Sequence, residues 1–186
     1  MRAKEVKEFV YRKIKLLDEN TPYSNAACAK LRRAIGKPRE ESPDIWEITL
    51  HGAPDGEKEG IAIHTCLTLY ALHSQSKVKS MCDEKTGFGA AITKLVTVEN
   101  ETAIQRRFNA VATSVDFAEL THHARGLIQL LRTRNIKMDY GRFAEDLFYF
   151  QTFEYAGRVR LKWGEDFYNG KFYQKKSEDE KGVDEK

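Results

Sequence analysis

Between Gly60 and Ser74 the chain reads Gly-Ile-Ala-Ile-His-Thr-Cys-Leu-Thr-Leu-Tyr-Ala-Leu-His-Ser, fifteen residues without an acid, a lysine or an arginine. The stretch reads as a helix that is apolar on nearly every side. Such a helix is stable only inside a shell of other elements. It falls short of the roughly 20 apolar residues that span a bilayer. The rest of the chain therefore has to supply amphipathic partners that can surround it.

The spacing of apolar residues supplies them. From Ala3 to Asp18 they fall at Val6, Phe9, Val10, Ile14 and Leu17, at helix intervals of three and four. Thr21-Pro22 opens a second helix, with threonine as the cap and proline in the first turn. Gly36 and Pro38 stop it. Ala27, Cys28, Leu31 and Ile35 share one face of it. Ser42-Pro43-Asp44 starts a short helix whose buried side is expected at Ile45, Trp46 and Leu50. After a Lys- and Ser-rich loop over 75–86, Gly87-Phe88-Gly89 opens another helix, and two glycines around a phenylalanine point to a close backbone approach or a bend. Ile104, Phe108, Val111 and Ala112 mark the next. Ser114 is expected to cap a helix over 115–134, with Phe117, Leu120, Ala124, Leu127, Ile128 and Leu131 as its core stripe. Asp139 is expected to cap the helix of Tyr140, Phe143, Leu147 and Phe150, and Val159, Trp163 and Phe167 mark the last. Alternation with period two occurs only in scraps such as Arg158–Lys162. The fold class is all-α, with about eight or nine helices in one compact helical bundle or two packed sub-bundles. The polar stretch Val98–Thr102 divides an N-terminal sub-bundle, 1–98, from a C-terminal one, 99–173, and 174–186 reads as a charged disordered tail.

Apolar residues make up 41% of the 186, enough for a core, and 32% are charged. The net charge is +3, too small by itself to mark a nucleic-acid binder. Three cysteines, Cys28, Cys66 and Cys82, form no CxxC pair and fit a reducing compartment. With no apolar signal core at the start and no spanning run, the expectation is a cytoplasmic protein that does not enter a membrane.

Motifs that carry chemistry are missing. The chain has no GxxxxGK[ST], no GxGxxG after a strand, no HExxH, no GxSxG and no His-Asp dipeptide. His64 and His73 lie nine residues apart on the apolar helix, well separated along its axis, and His122 and His123 point about 100° apart. Adjacent acids such as Glu145-Asp146 rarely converge on one metal. No catalytic residue, metal or cofactor is expected. A metal-dependent nuclease or hydrolase using His64, His73 or His122 remains the minor alternative.

Clustered cations are the stronger signal. Ala26–Arg39 carries five positive charges and no negative one, with Arg33 nearly opposite the apolar face and Lys30 and Arg32 flanking it. Arg106 points away from its helix's apolar side, and Arg107 flanks it. Arg125 and Arg132, two turns apart, share a face, and Arg134, Lys137 and Arg142 continue the run. Arginine forks match phosphate oxygens and stack on bases. With no recognition helix, such contacts would be to backbone, without sequence readout. Residue patterns alone leave two readings level: contacts to nucleic acid, or contacts to protein and to the chain's own acids.

Four motifs in order carry a resemblance. Ala29-Lys30-Leu31-Arg32-Arg33-Ala34, Gly87-Phe88-Gly89-Ala90-Ala91, Arg106-Arg107-Phe108 and Trp163-Gly164-Glu165-Asp166-Phe167-Tyr168 together resemble the CasB family, the small subunit of the type I-E CRISPR surveillance complex, Cascade. The similarity runs from about Val6 to Tyr168. Family members often carry a basic residue after the mid-chain glycine, where this chain has Ala90-Ala91. The resemblance implies a non-enzymatic all-α subunit whose partners are the other Cascade subunits with guide RNA, and a second copy of itself packed head to tail. It further implies contacts to the target and displaced DNA strands that keep the R-loop open. The nucleic-acid contacts are expected at Arg32, Arg33, Arg106, Arg107, Arg125, Arg132 and Arg142. A purely structural spacer between protein neighbours is the alternative.

Overall fold

The computed structural model describes residues 2–183, with side chains through Lys171. The tail expected at 174–186 lies outside the residues described with their side chains. Among the described residues there are nine α-helices: α1 (Arg2–Leu17), α2 (Pro22–Arg33), α3 (Trp46–Thr49), α4 (Glu57–His73), α5 (Phe88–Thr93), α6 (Glu101–Ala112), α7 (Phe117–Thr133), α8 (Tyr140–Phe150) and α9 (Phe153–Val183). A single 3-10 turn, Pro43–Ile45, precedes α3. The one β-type pairing among them is an isolated parallel bridge, Cys82 with Met138. The all-α expectation holds.

Helix α4 is the centre. Every residue from Glu59 to His73 except Ile61 is buried, and α1, α2, α3, α7 and α8 all pack on it. Its neighbours turn their apolar stripes inward as the periodicity requires: Val6, Phe9, Val10, Ile14 and Leu17 of α1, and Leu120, Ala124, Leu127, Ile128 and Leu131 of α7, are buried. Val98–Thr102, the expected boundary, is the turn into α6, and helices on its two sides pack together, α1 and α4 on α8 and α5 on α9.

The helix ends follow local chemistry, with two departures. Thr21 caps α2 in a capping box with Ser24, Asp139 caps α8 by accepting from the Arg142 N–H, and Gly36 takes a positive φ of 76° just past α2. Ser42 makes no cap, because its hydroxyl turns back to donate to the Pro38 carbonyl at 3.0 Å. Helix α3 is then only one turn long and buries Ile48 and Thr49, while Trp46 and Leu50 stay exposed. The Trp46 indole instead donates to the Arg39 carbonyl. Ser114 likewise turns back to Ala110, and Asp116 caps α7 by accepting from the Glu119 N–H at 2.8 Å. In both places the serine hydroxyl has a nearer carbonyl partner in the preceding turn.

Two glycines set how closely helices approach. A Cβ on Gly89 would lie 2.2 Å from the Trp163 carbonyl oxygen, so α5 and α9 touch backbone to backbone there. A Cβ on Gly141 would lie 2.3 Å from the Tyr11 ring, which rests on the first turn of α8 and donates its hydroxyl to Asp139 at 2.6 Å. Phe88, beside Gly89, packs against Phe143 and Trp163 at ring separations of 5.0 and 4.9 Å. Buried Asp146 is held by the Trp163 indole N–H and the Lys162 ammonium, both at 2.7 Å.

His73, fully buried, shares a 2.9 Å hydrogen bond between Nδ1 and the Tyr140 hydroxyl. Desolvation holds its pKa down to about 4. The unfolded chain, with an ordinary imidazole near 6.5, binds that proton more tightly. The contribution of neutral His73 is therefore complete above pH 6.5 and is lost as the pH falls toward 4. Wild type is expected to lose about 2–3 kcal/mol more than His73→Gln between pH 7 and pH 4, measured by urea unfolding at each pH. Gly89→Ala is expected to cost about 2–3 kcal/mol in the same assay. Gly126→Ala on α7, where a Cβ meets nothing within 4 Å, is expected to gain about 0.5–1 kcal/mol.

Candidate functional site

The arginines singled out by the sequence are not equivalent. Arg33, Arg106, Arg107 and Arg125 are exposed, and Arg32, Arg132 and Arg142 are half-buried. Arg33 follows the buried face of α2 round to the opposite side, as its position relative to Leu31 requires. Arg32 has a structural task. Its Nη1 donates at 3.3 Å to the carbonyl of Ala71 in the last turn of α4, one of the four carbonyls that a helix end leaves without an intrahelical partner. Arg142 faces Asp166 at 3.7 Å and lies against Gly87. Arg33, Arg106, Arg107, Arg125 and Arg132 make no ion pair among the described residues. The expectation that these arginines pair with the chain's own acids holds for Arg142 alone of the seven.

Two basic regions arise where α2 and α7 flank α4. At the C-terminal end of α4, Arg32 lines a cleft of about 230 Å³ together with Asp18, Lys77 and Lys79. Lys77 donates to Asn135 just past α7 at 2.6 Å, and the charges of Lys77 and Arg132 both bear on His73. The negative end of the α4 dipole favours cations at this spot. Toward the N-terminal half of α4, a groove of about 670 Å³ lies between the Ile35–Glu40 connection and α7, and Arg125, Lys37, Arg39 and His122 line it. The Arg39 guanidinium lies against the backbone of Gly60, where a Cβ would come within 2.2 Å of it. Three carboxylates temper these regions: Asp18 in the first, Glu40 and Glu57 in the second.

Lys77, Lys79, Lys37 and Arg39 are the basic residues that sequence reasoning did not assign to a site. Lys37 and Arg39 belong to the unbroken positive run of 26–39, which was their signal. Lys77 and Lys79 lie in a loop with no periodicity to place them. Arg106 and Arg107 are on α6, which packs on α7 and α9, and neither lines either cleft.

His64 and His73 serve the fold. His64, buried, has Nε2 3.1 Å from the Lys37 carbonyl, and desolvation lowers its pKa. His73 is bound to Tyr140. Among the described residues, no group of three or more His, Cys, Asp or Glu side chains is able to hold a metal ion, and no helix is long and apolar enough to cross a membrane. Cys66 and Cys82 are free thiols raised by burial, Cys82 to about 12, which is the opposite of what a thiolate nucleophile requires.

An all-helical domain with cations on consecutive packed helices is thus the class that fold and surface define. Within that class the chain belongs to the family of CRISPR-associated protein Cse2, whose family model matches residues 27–168. CasB from Thermobifida fusca is 31% identical and superposes with a TM-score of 0.77, over 88% of this chain and 97% of that one. CasB from Thermus thermophilus, 19% identical, gives 0.71 over 88% and 97%. A chain of a CRISPR RNA-guided surveillance complex, 18% identical, gives 0.75 over 95% and 99%. The last two likenesses are of fold. No curated protein matches the sequence.

The split between committed and uncommitted arginines is measurable. Arg32→Ala is expected to cost about 1 kcal/mol of stability, from the lost hydrogen bond to Ala71. Arg33→Ala, one residue on, is expected to stay within about 0.5 kcal/mol of wild type. Paired chemical denaturation curves check both.

Proposed function

We propose that this chain is the non-catalytic small subunit of a type I-E Cascade complex. In this role it holds nucleic-acid backbone without reading sequence and helps keep target and displaced strands apart in the R-loop. The observation that carries the reading is that five of the seven arginines, on α2, α6 and α7, make neither an ion pair nor a side-chain hydrogen bond among the described residues, whereas Arg32 and Arg142 each have an internal partner. Two of the five, Arg125 and Arg132, stand with further cations along the flank of α4. Family membership and the likeness to a chain of a surveillance complex supply the setting.

The physics suits a weak surface. Exchanging a DNA duplex for an RNA–DNA heteroduplex is nearly balanced, so modest contacts to a displaced strand can tip it. Inside an assembly the effective concentration of that strand is high, and no strong isolated affinity is needed. A net charge of +3 is then sufficient. Neighbouring subunits with their guide RNA, and a second copy of the chain packed head to tail, are the protein partners on this reading.

A purely structural spacer is the second reading, and one feature favours it. Phe153 and Val115 are 97% and 85% exposed, and with Phe117 and Phe150 they border one apolar hollow at the α6–α7 and α8–α9 turns. Exposed apolar surface of this kind marks protein contacts.

Fluorescence anisotropy with single-stranded DNA over a range of salt separates the two. Three or more phosphate contacts give a log–log slope of about −2 or steeper, at about −0.7 per phosphate. Charge reversal of Arg33 and Arg125 is expected to flatten that slope while leaving the unfolding curve unchanged. No binding by the wild-type chain at low salt would leave the spacer. Metal analysis of the purified chain with a cleavage assay in several divalent ions tests the absence of catalysis; metal-dependent cleavage lost on substitution of His122 would overturn it.

A further inference from the structure

We propose that the groove between the Ile35–Glu40 connection and α7 takes one unstacked base of a single strand, with the adjoining phosphate held at its rim. The proposal rests on the backbone-binding reading above and adds a base site to it. A surface that only tracks phosphates needs cations and nothing else. This groove has cations at Lys37, Arg39 and Arg125, together with an apolar bed from Ile61 on α4 and Phe117 and Ala118 on α7. Ile61 is the one residue between Glu59 and His73 that is not buried, so the central helix reaches the surface here. Phe117 is half-buried, anchored enough to hold its ring still and open enough to present it. Its volume of about 670 Å³ lies within the range of small-ligand clefts, about 300–1,000 Å³. A base on an aromatic ring gains affinity whatever its identity, because every base has a π-face. The three cations outnumber the two lining carboxylates, Glu40 and Glu57, which favours an anionic strand over an acidic or neutral peptide.

The test compares the full-length chain on two oligonucleotides of equal length and charge, one of thymines and one of abasic sugars. Intact strand is expected to bind at least about fivefold more tightly than abasic strand, the lower end of stacking on one aromatic. Phe117→Ala is expected to bring the two within twofold at an unchanged salt slope, and Phe117→Tyr to restore the difference. The oligonucleotide comparison needs no variant, so a poorly folding Phe117→Ala leaves it intact. Equal binding of intact and abasic strands with the salt dependence retained would overturn the base site while the backbone reading stands. Failure of both strands to bind at low salt would overturn the backbone reading, and the base site with it.

Discussion

The seventeen-residue helix α4 is buried along nearly its whole length, and the positions of α1, α2, α7 and α8 follow from that burial. A helix with one apolar stripe can lie on a surface, but a helix without a wet face has to be enclosed. Each enclosing helix turns its apolar stripe inward and most of its charges outward, buried Asp146 of α8 being an exception. The arginines of α2 and α7 therefore reach the surface because the opposite faces of those helices are committed to α4.

Enclosure also brings polar groups inside, where each needs a partner. The last turn of α4 shows how this is met. Ser74 N–H bonds the Tyr70 carbonyl, Gln75 N–H bonds Leu72, and Arg32 reaches from α2 to Ala71. Tyr70 donates to Asp18, and His73 bonds Tyr140. Asp139 accepts both the Tyr11 hydroxyl and the Arg142 N–H, so one carboxylate caps α8 and ties α1 to it. Gly141 lets the Tyr11 ring come close enough for its bond to Asp139 to form. Stability and surface chemistry are linked at Arg32, where a cation on the candidate interface is also part of the frame.

The division among the arginines follows from which of them meet a carbonyl or an acid inside the protein. Arg142 has Asp166 opposite it on α9, and its charge is answered inside the protein. Arg33, Arg106 and Arg107 sit on outward faces, and Arg125 stands at a groove whose carboxylates are outnumbered. An exposed arginine without a partner costs nothing while it stays hydrated. It becomes useful when a phosphate-bearing strand is held beside it by a larger assembly.

The sequence by itself determined the all-helical class, the central place of residues 60–74 and most helix starts. Each of these depends on residues within a few positions of one another. Thr21, Asp139 and Gly36 act on their own turns, and the stripes of α1 and α7 depend on spacing alone. It also pointed to a close backbone approach or a bend at Gly87-Phe88-Gly89, and the structure has the close approach, to the Trp163 carbonyl. Tertiary structure decided what depends on groups far apart in the chain. Trp46 and Leu50 fit a buried pattern, yet both stay exposed, because Ser42 turns back to Pro38 and α3 ends after one turn. Lys77 and Lys79 join Arg32, and Lys37 and Arg39 join Arg125, only because α4 draws α2, α7 and two loops around itself. Which arginine is bound internally and which is left for a partner is set by carbonyls and acids up to 39 residues away. No local pattern encodes that distance, because it is fixed by how the helices pack.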